Sequence, residues 1–336
     1  MEKNIKNDYF PGDNHVGYSK APLEGEESLE KQKAKGHYIF LHQTSTGDHH
    51  MSTKKRRAID YHCNLFTPEA VKRKYVKSGE GNEDFYRHGR HTGRLEGYTV
   101  PEFLSLMEEL GIEKGVVPAW QWRSFIDGTM LWDDSPQLIH ETLGAYSDRF
   151  FGLYGINPFK RMEGVRELER VVKEYGFKGV HLHTHGYGLP LNHRDYYPFW
   201  AKCEELDIVA VIMVGAESAA QPAYLGQPAL LDDIAIYFPK LRIVASHTGW
   251  PWVEEAINLA YRHANVFIGT AGYPPKFWQP NMVHFANSWG KGKVMWGTSF
   301  PLVDHKKALD QIDELGLRDD AKFELLYGTA ARVFRI

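Results

Sequence analysis

Several short apolar runs in this chain end in histidine, a side chain that can ligate a metal or carry a proton near neutral pH. The run "AIDYHCNLF" (58–66) holds His62 and, two residues on, Asn64; "GVHLHTHGYGLP" (179–190) holds His181, His183 and His185; "RIVASH" (242–247) ends on His247. Glu217 follows the run at 208–215, and Ser299 and Asp304 follow the run at 293–297. Strand side chains alternate, so His62 and Asn64 share one face, and so do His181, His183 and His185 if that strand stays extended. One histidine at a strand end is ordinarily a hydrogen-bonded structural residue. Histidines ending three strands of one fold point instead to neutral imidazoles converging on a divalent metal such as zinc, iron or manganese.

Something must bring those ends together. Eight β-rich runs, at 58–63, 115–119, 150–157, 179–184, 208–215, 242–247, 265–269 and 293–297, alternate with amphipathic stretches such as "PEFLSLMEELG", "GVRELERVVKEYG", "YPFWAKCEELD", "WVEEAINLAYRH" and "HKKALDQIDELG". Several of these stretches end in Gly where the apolar periodicity stops, as helix C-termini do. The pattern predicts an α/β fold, a parallel (β/α)8 TIM barrel over residues 51–336, with its chemistry at the C-terminal ends of the strands. A doubly wound open sheet is the alternative, but "DYHCNLFTPE" lacks the Gly-rich phosphate loop that such a sheet carries after its first strand.

Composition removes other classes. With 43% hydrophobic and 25% charged residues and a net charge of -3, the chain has globular proportions. Its charge gives no footprint for nucleic acid or an anionic membrane. No apolar run reaches the ~20 residues that span a bilayer, and the start has no signal-peptide core, so a cytoplasmic protein is expected. Two cysteines, Cys63 and Cys203, fall in a strand and a helix and are expected to be buried small hydrophobes. Residues 1–50 are polar apart from "HYIFLH" and are expected to wrap the barrel or a partner rather than build a core. The Lys54–Arg57 run is read as a solvated lead-in to the first strand.

The segments "IDYHCN", "KGVHLHTHGYGLP", "ASHTGWPWVEEA", "NVFIGTAGYPPKFW" and "VMWGTSFPLVDH" come in the order found in the amidohydrolase-related branch of the amidohydrolase superfamily, the group of aminocarboxymuconate semialdehyde decarboxylase, which the chain resembles from about Arg57 to Ile336. The resemblance implies a distorted barrel with a divalent metal, most simply zinc, at its mouth, and a small carboxylate or amino acid as substrate. It places the first histidine of the His-x-His pair on His62, the strand-four ligand on His185 with His183 as competitor, and the strand-six histidine, both ligand and catalytic group, on His247. His181 and Glu217 are weaker candidates. Asp304 is a candidate proton carrier.

Two positions depart from the family pattern. Asn64 stands where the second histidine of the pair belongs, and Ser299 where the Gly-Thr-Asp aspartate belongs. An amide oxygen is a weak ligand, and a hydroxyl cannot replace a carboxylate that both holds metal and takes a proton. Three readings follow. The chain could be one subunit of a heteromeric enzyme, completed by an intact paralogue as in related amino acid hydroxylases. It could be a self-sufficient hydrolase or decarboxylase with a rearranged site, alone or as a homodimer. It could be a non-catalytic pseudoenzyme. The basic stretch "RHGRHTGRLEG" (87–97) could offer an Arg to a substrate carboxylate, though a solvated loop is the simpler reading, and Trp120, Trp122, Trp250, Trp252 and Trp278 follow strands and could wall a pocket or pack in the core.

Overall fold

A computed structural model describes residues 56–76, 94–217 and 220–336. The N-terminal extension, and residues 87–93 of the basic stretch, lie outside these. Eight parallel strands form one sheet in the order β1 (Ala58–Asp60), β2 (Ile112–Pro118), β5 (Phe150–Gly155), β6 (Gly179–Leu182), β7 (Val209–Met213), β8 (Arg242–Ser246), β9 (Val266–Gly269) and β10 (Val294–Met295). Each lies within or overlaps one of the runs read from the sequence. Closure comes just past the ends of β10 and β1, where the Tyr61 amide donates to the Trp296 carbonyl at 3.2 Å and the Ser299 amide donates to the His62 carbonyl at 2.7 Å.

Alternation sorts the strand residues into two cores. Inside the barrel, Ile59, Val116, Leu153, Val209, Val211, Val244 and Met295 pack with Ala330, Val333 and Phe334 of the C-terminal helix Thr329–Phe334. β-Branched side chains dominate, as expected for a barrel interior filled by layers of stiff residues. The opposite faces, among them Val180, Leu182, Ala210, Ile212 and Ile243, pack under the helices. Tyr61 crosses the interior, its ring so near Gly269 that an added Cβ would lie 2.1 Å from the hydroxyl oxygen, and its hydroxyl accepts from the Ala271 amide at 3.3 Å. The barrel floor is therefore solid, and the histidines sit above it.

Helix boundaries follow their local chemistry. Helix Val100–Leu110 begins with a Thr99/Glu102 capping box and ends at Gly111 in the left-handed region. Helix Arg161–Tyr175 ends the same way at Gly176. Cys63 and Cys203 are both buried, in accord with their reading as small hydrophobes. Arg56 and Arg57 pair with Asp313 and Glu113. No helix among the described residues is long and apolar enough to cross a membrane. One feature lies outside the alternating pattern: an antiparallel hairpin of β3 (Gln121–Arg123) and β4 (Met130–Asp133) in the excursion after β2.

Candidate active site

β6 presents His181 toward the barrel mouth, between Val180 and Leu182, which face the helices. The extended run expected to reach His185 stops short: β6 ends at Leu182 and Thr184 is already helical at φ -80°, ψ -30°, so a turn rather than strand alternation brings the His185 ring to 5.1 Å from that of His183, while Thr184 hydrogen-bonds the Leu189 carbonyl and the Tyr196 hydroxyl. The chain then tightens into a 3-10 turn at His185–Tyr187, where Gly186 lies so close to the β3 hairpin that a Cβ would fall 1.6 Å from the Arg123 carbonyl oxygen. His62 and Asn64, just past the end of β1, both contact Trp120 and Ser299. Two further site residues hold left-handed backbone without being glycine, His247 at φ 68° and Ser299 at φ 53°. Such conformations cost about 1–3 kcal/mol and persist where the surroundings impose them, often at functional sites.

The five histidines are all buried. The ring of His62 lies 5.1 Å from that of His181, 5.3 Å from that of His247 and 5.7 Å from that of Trp120; His183 and His185 are 5.1 Å apart. Trp120 packs on His181 at 4.4 Å and Trp122 on His183 at 5.2 Å, forming an aromatic wall with Trp132 and Tyr75. Trp250, by contrast, is exposed.

Hydrogen bonding sets the nitrogens apart. His183 Nε2 meets Glu217 Oε2 at 2.9 Å, His185 Nε2 donates to the Gly215 carbonyl at 3.0 Å, and His62 Nδ1 meets Ser299 Oγ at 3.1 Å. The opposite nitrogens, His183 Nδ1, His185 Nδ1 and His62 Nε2, are buried with no partner among the described residues, and His181 has neither nitrogen partnered among them. His247 has contacts at both ends, Ser246 Oγ at 2.9 Å on Nδ1 and Ser299 Oγ at 3.4 Å on Nε2. Burial pushes the His185 and His247 pKa values down to about 4, and those of His62 and His181 well below the ordinary range. These four rings are therefore neutral at pH 7 and can offer a lone pair. Imidazoles with one nitrogen fixed by an acceptor and the other free are the usual arrangement of metal-ligating histidines. The donor types at the mouth are those a divalent metal takes, but among the described residues no three of these donor atoms lie within 4.8 Å of one another.

Asn64 has different work. Its Oδ1 accepts from Trp120 Nε1 at 2.6 Å, and its Nδ2 donates to the Tyr75 hydroxyl at 2.6 Å and to the Ser299 carbonyl at 3.0 Å. The amide ties the aromatic wall to the strand ends, and its oxygen is committed. An Asn64→Ala variant is expected to be less stable by roughly 1–3 kcal/mol for the stranded Trp120 N–H alone, read from urea unfolding, while its metal content stays unchanged. Asp304 caps helix His305–Asp313, accepting from the Lys307 amide at 2.9 Å, so its carboxylate serves the helix start.

One group of three among the described residues does gather ligand atoms within 4.8 Å: Asp60, Cys63 and His305. Its carboxylate is already occupied. Asp60 Oδ1 accepts from the His62 amide at 3.0 Å and the Thr298 amide at 3.1 Å, and Oδ2 contacts Thr298 Oγ1 at 2.5 Å and His305 Nε2 at 2.8 Å. This knot joins β1 to the end of β10. Sequence reasoning missed it because its members lie far apart in the chain. It also missed the buried ion pair of Lys74 with Asp134, both fully buried, beneath the aromatic wall.

An amidohydrolase family profile matches residues 59–336. The chain belongs to the amidohydrolase family. A 2-amino-3-carboxymuconate-6-semialdehyde decarboxylase of Dictyostelium discoideum is 27% identical over 195 residues, 48% of this chain and 54% of that protein. A 2-keto-4-carboxy-3-hexenedioate hydratase of Sphingobium sp. is 26% identical over 211 residues, 51% of this chain and 60% of that protein. The chain thus spans about half the length of the curated relatives it matches. Among solved structures, a TIM-barrel protein of Bordetella bronchiseptica has a TM-score of 0.65 at 22% identity over 83% of this chain and 99% of that one. A 5-carboxyvanillate decarboxylase of Novosphingobium aromaticivorans, solved with manganese and 3-methoxy-4-hydroxy-5-nitrobenzoic acid, has a TM-score of 0.64 at 16% identity over 83% and 97%. Amidohydrolase-family architecture is thus established for the barrel.

Proposed function

We propose that this amidohydrolase-family chain is a self-sufficient, metal-dependent enzyme that decarboxylates or hydrates a small aromatic or unsaturated carboxylate. The observation that carries this reading is the set of buried, partnerless imidazole nitrogens at the C-terminal mouth, where barrel enzymes place their chemistry. The names of the two curated relatives supply the substrate class, since each describes an unsaturated carboxylate. An assembly with an intact paralogue, or an amino acid hydroxylase role, gains no support from these relatives.

A divalent metal would be held by His62 and histidines of the β6 end, and when bound it supplies a Lewis acid that polarises a carbonyl or lowers the pKa of water. With no carboxylate among the free donors, the set suits zinc or iron better than manganese. The protein's own groups do the rest. His247, neutral at pH 7, can take a proton through Nε2, and Ser299 Oγ, in contact with both His247 and His62, can pass one between them. Glu217 holds His183 in one orientation. Trp120 and Trp122 offer flat apolar faces for a planar conjugated acid and keep water from it.

The test uses the chain purified alone, stripped with chelator and reloaded with zinc, ferrous iron or manganese. It is assayed against 5-carboxyvanillate, 2,6-dihydroxybenzoate and the two relatives' substrates for CO2 release and loss of ultraviolet absorbance. Turnover of at least one acid, dependent on metal and abolished in His247→Ala, is expected. Silence with every metal and acid would leave the pseudoenzyme reading standing.

A further inference from the structure

We propose that Ser299 is a nucleophile served by His247 as its general base, so that the barrel mouth also transfers and hydrolyses the acyl group of a small ester. This second activity goes beyond the decarboxylation or hydration proposed above and routes no step through an ion.

Ser299 follows β10 at the C-terminal mouth, and its backbone is left-handed at φ 53°. Glycine takes such a backbone freely, and ten glycines among the described residues do so. The turn alone therefore gives no reason for a side chain here, and the hydroxyl must supply one. A serine forced into a tight turn at the end of a strand is also how α/β-hydrolases present their nucleophile. His247, at the end of β8, is held left-handed as well, at φ 68°. Of the five mouth histidines it alone is more than 1% exposed, at 7%, so its ring borders the open side of the site.

Atom distances place nucleophile, base and orienting group in series. Ser299 Oγ lies 3.4 Å from His247 Nε2 and 3.1 Å from His62 Nδ1. Behind the His247 ring, Ser246 Oγ meets Nδ1 at 2.9 Å and is itself 2.7 Å from the Tyr61 hydroxyl. One choice of tautomers satisfies all three imidazole contacts: His62 Nδ1–H donates to Ser299 Oγ, the Ser299 hydroxyl donates to His247 Nε2, and His247 Nδ1–H donates to Ser246 Oγ. The 3.4 Å contact is long, as such contacts often are before substrate closes them. Gly272 walls the His247 ring on one side, where an added Cβ would fall 2.8 Å from Cδ2.

In the first step Ser299 Oγ bonds to the acyl carbon while its proton passes to His247 Nε2; the bond to the alcohol oxygen breaks, and the alcohol leaves with that proton. Water then attacks the acyl carbon, giving a proton to His247 Nε2, and the acid departs as Ser299 Oγ takes that proton back. A hydroxyl rather than a carboxylate stands behind the imidazole, so the imidazolium is less stabilised, which suits the good leaving group of an ester better than an amide.

The test uses the full chain stripped with chelator. It is treated with an alkyl fluorophosphonate, which phosphonylates activated serines, and the labelled peptide is located by mass spectrometry. In parallel, p-nitrophenyl acetate is mixed with the wild type and with folded Ser299→Ala, Ser299→Cys and His247→Gln, and nitrophenolate release is followed. Label on Ser299 and a burst of about one nitrophenolate per chain are expected. The burst should vanish in Ser299→Ala, persist in Ser299→Cys and slow by about 100-fold or more in His247→Gln. A wild type that takes no label at Ser299, or a burst unchanged in Ser299→Ala, would overturn the inference. Neither result touches the metal-dependent reading, which is measured on reloaded protein with acids that carry no ester.

Discussion

Between pH 6.5 and pH 4 the chelator-stripped protein is expected to lose about 3 kcal/mol of stability from each of His185 and His247. Burial holds both rings at a pKa of about 4, against an ordinary value of 6.5 in the unfolded chain. The unfolded state therefore binds protons first as pH falls, and folding must expel them. The contribution is complete above pH 6.5 and is progressively lost down to about pH 4. Each pKa unit is worth about 1.4 kcal/mol. His62 and His181 are displaced in the same direction, again mainly by burial, so the slope should be steeper than two groups give. Urea midpoints at half-unit steps from pH 7.5 to 5 read the effect before carboxylates begin to titrate. A flat profile over that range would mean the mouth is wetter than the buried rings imply.

Lys74→Met should be the most damaging single change to stability away from the histidines. Lys74 and Asp134 are both fully buried and paired, and Arg73 reaches the other oxygen of Asp134 at 2.5 Å. Burial lowers the Lys74 pKa, with Asp134 opposing, so the ammonium depends on its partner. Removing one member of a buried pair costs about 3–5 kcal/mol, because the other is left charged in a poor solvent. Arg73 should keep the loss near the lower end. The double variant Lys74→Met/Asp134→Leu is expected to recover most of it, and a double-mutant cycle by chemical denaturation reads the coupling. Additive losses would show that the two residues do not depend on each other. The pair also bears on function: Trp132 Nε1 donates to the Lys74 carbonyl, and Trp132 packs on Trp120, which backs His181.

The barrel was legible because its signals are local. Runs such as 208–215 and 242–247 show strand composition within a few residues, and Gly111 and Gly176 mark helix ends where the chain must turn left-handed. His181 could be placed at the mouth because alternation carries a side chain's direction along a strand. The hairpin β3–β4 could not be seen, since its strands of three and four residues offer too short a period. Nor could the role of Asn64, whose partners Trp120 and Ser299 arrive from other strands, or the pairing of Asp60 with His305, 245 residues away. Those contacts exist only once the sheet has closed. An unpaired nitrogen, likewise, is a property of surroundings, which is why His181 looked like a minor candidate in the sequence.

The place where the barrel closes gives the two departures from the family pattern a common meaning. In that pattern one ligand rides on the first strand and another on the last, so the ion doubles as a clasp between the two ends of the sheet. Here the same positions are fastened by the protein itself: Asn64 holds the Ser299 carbonyl, the Ser299 amide holds the His62 carbonyl, and Asp60 grips Thr298. Mechanical closure has been separated from chemistry. A barrel latched in this way needs no ion to hold its first and last strands together, which frees the histidines above the latch from any part in keeping the fold whole.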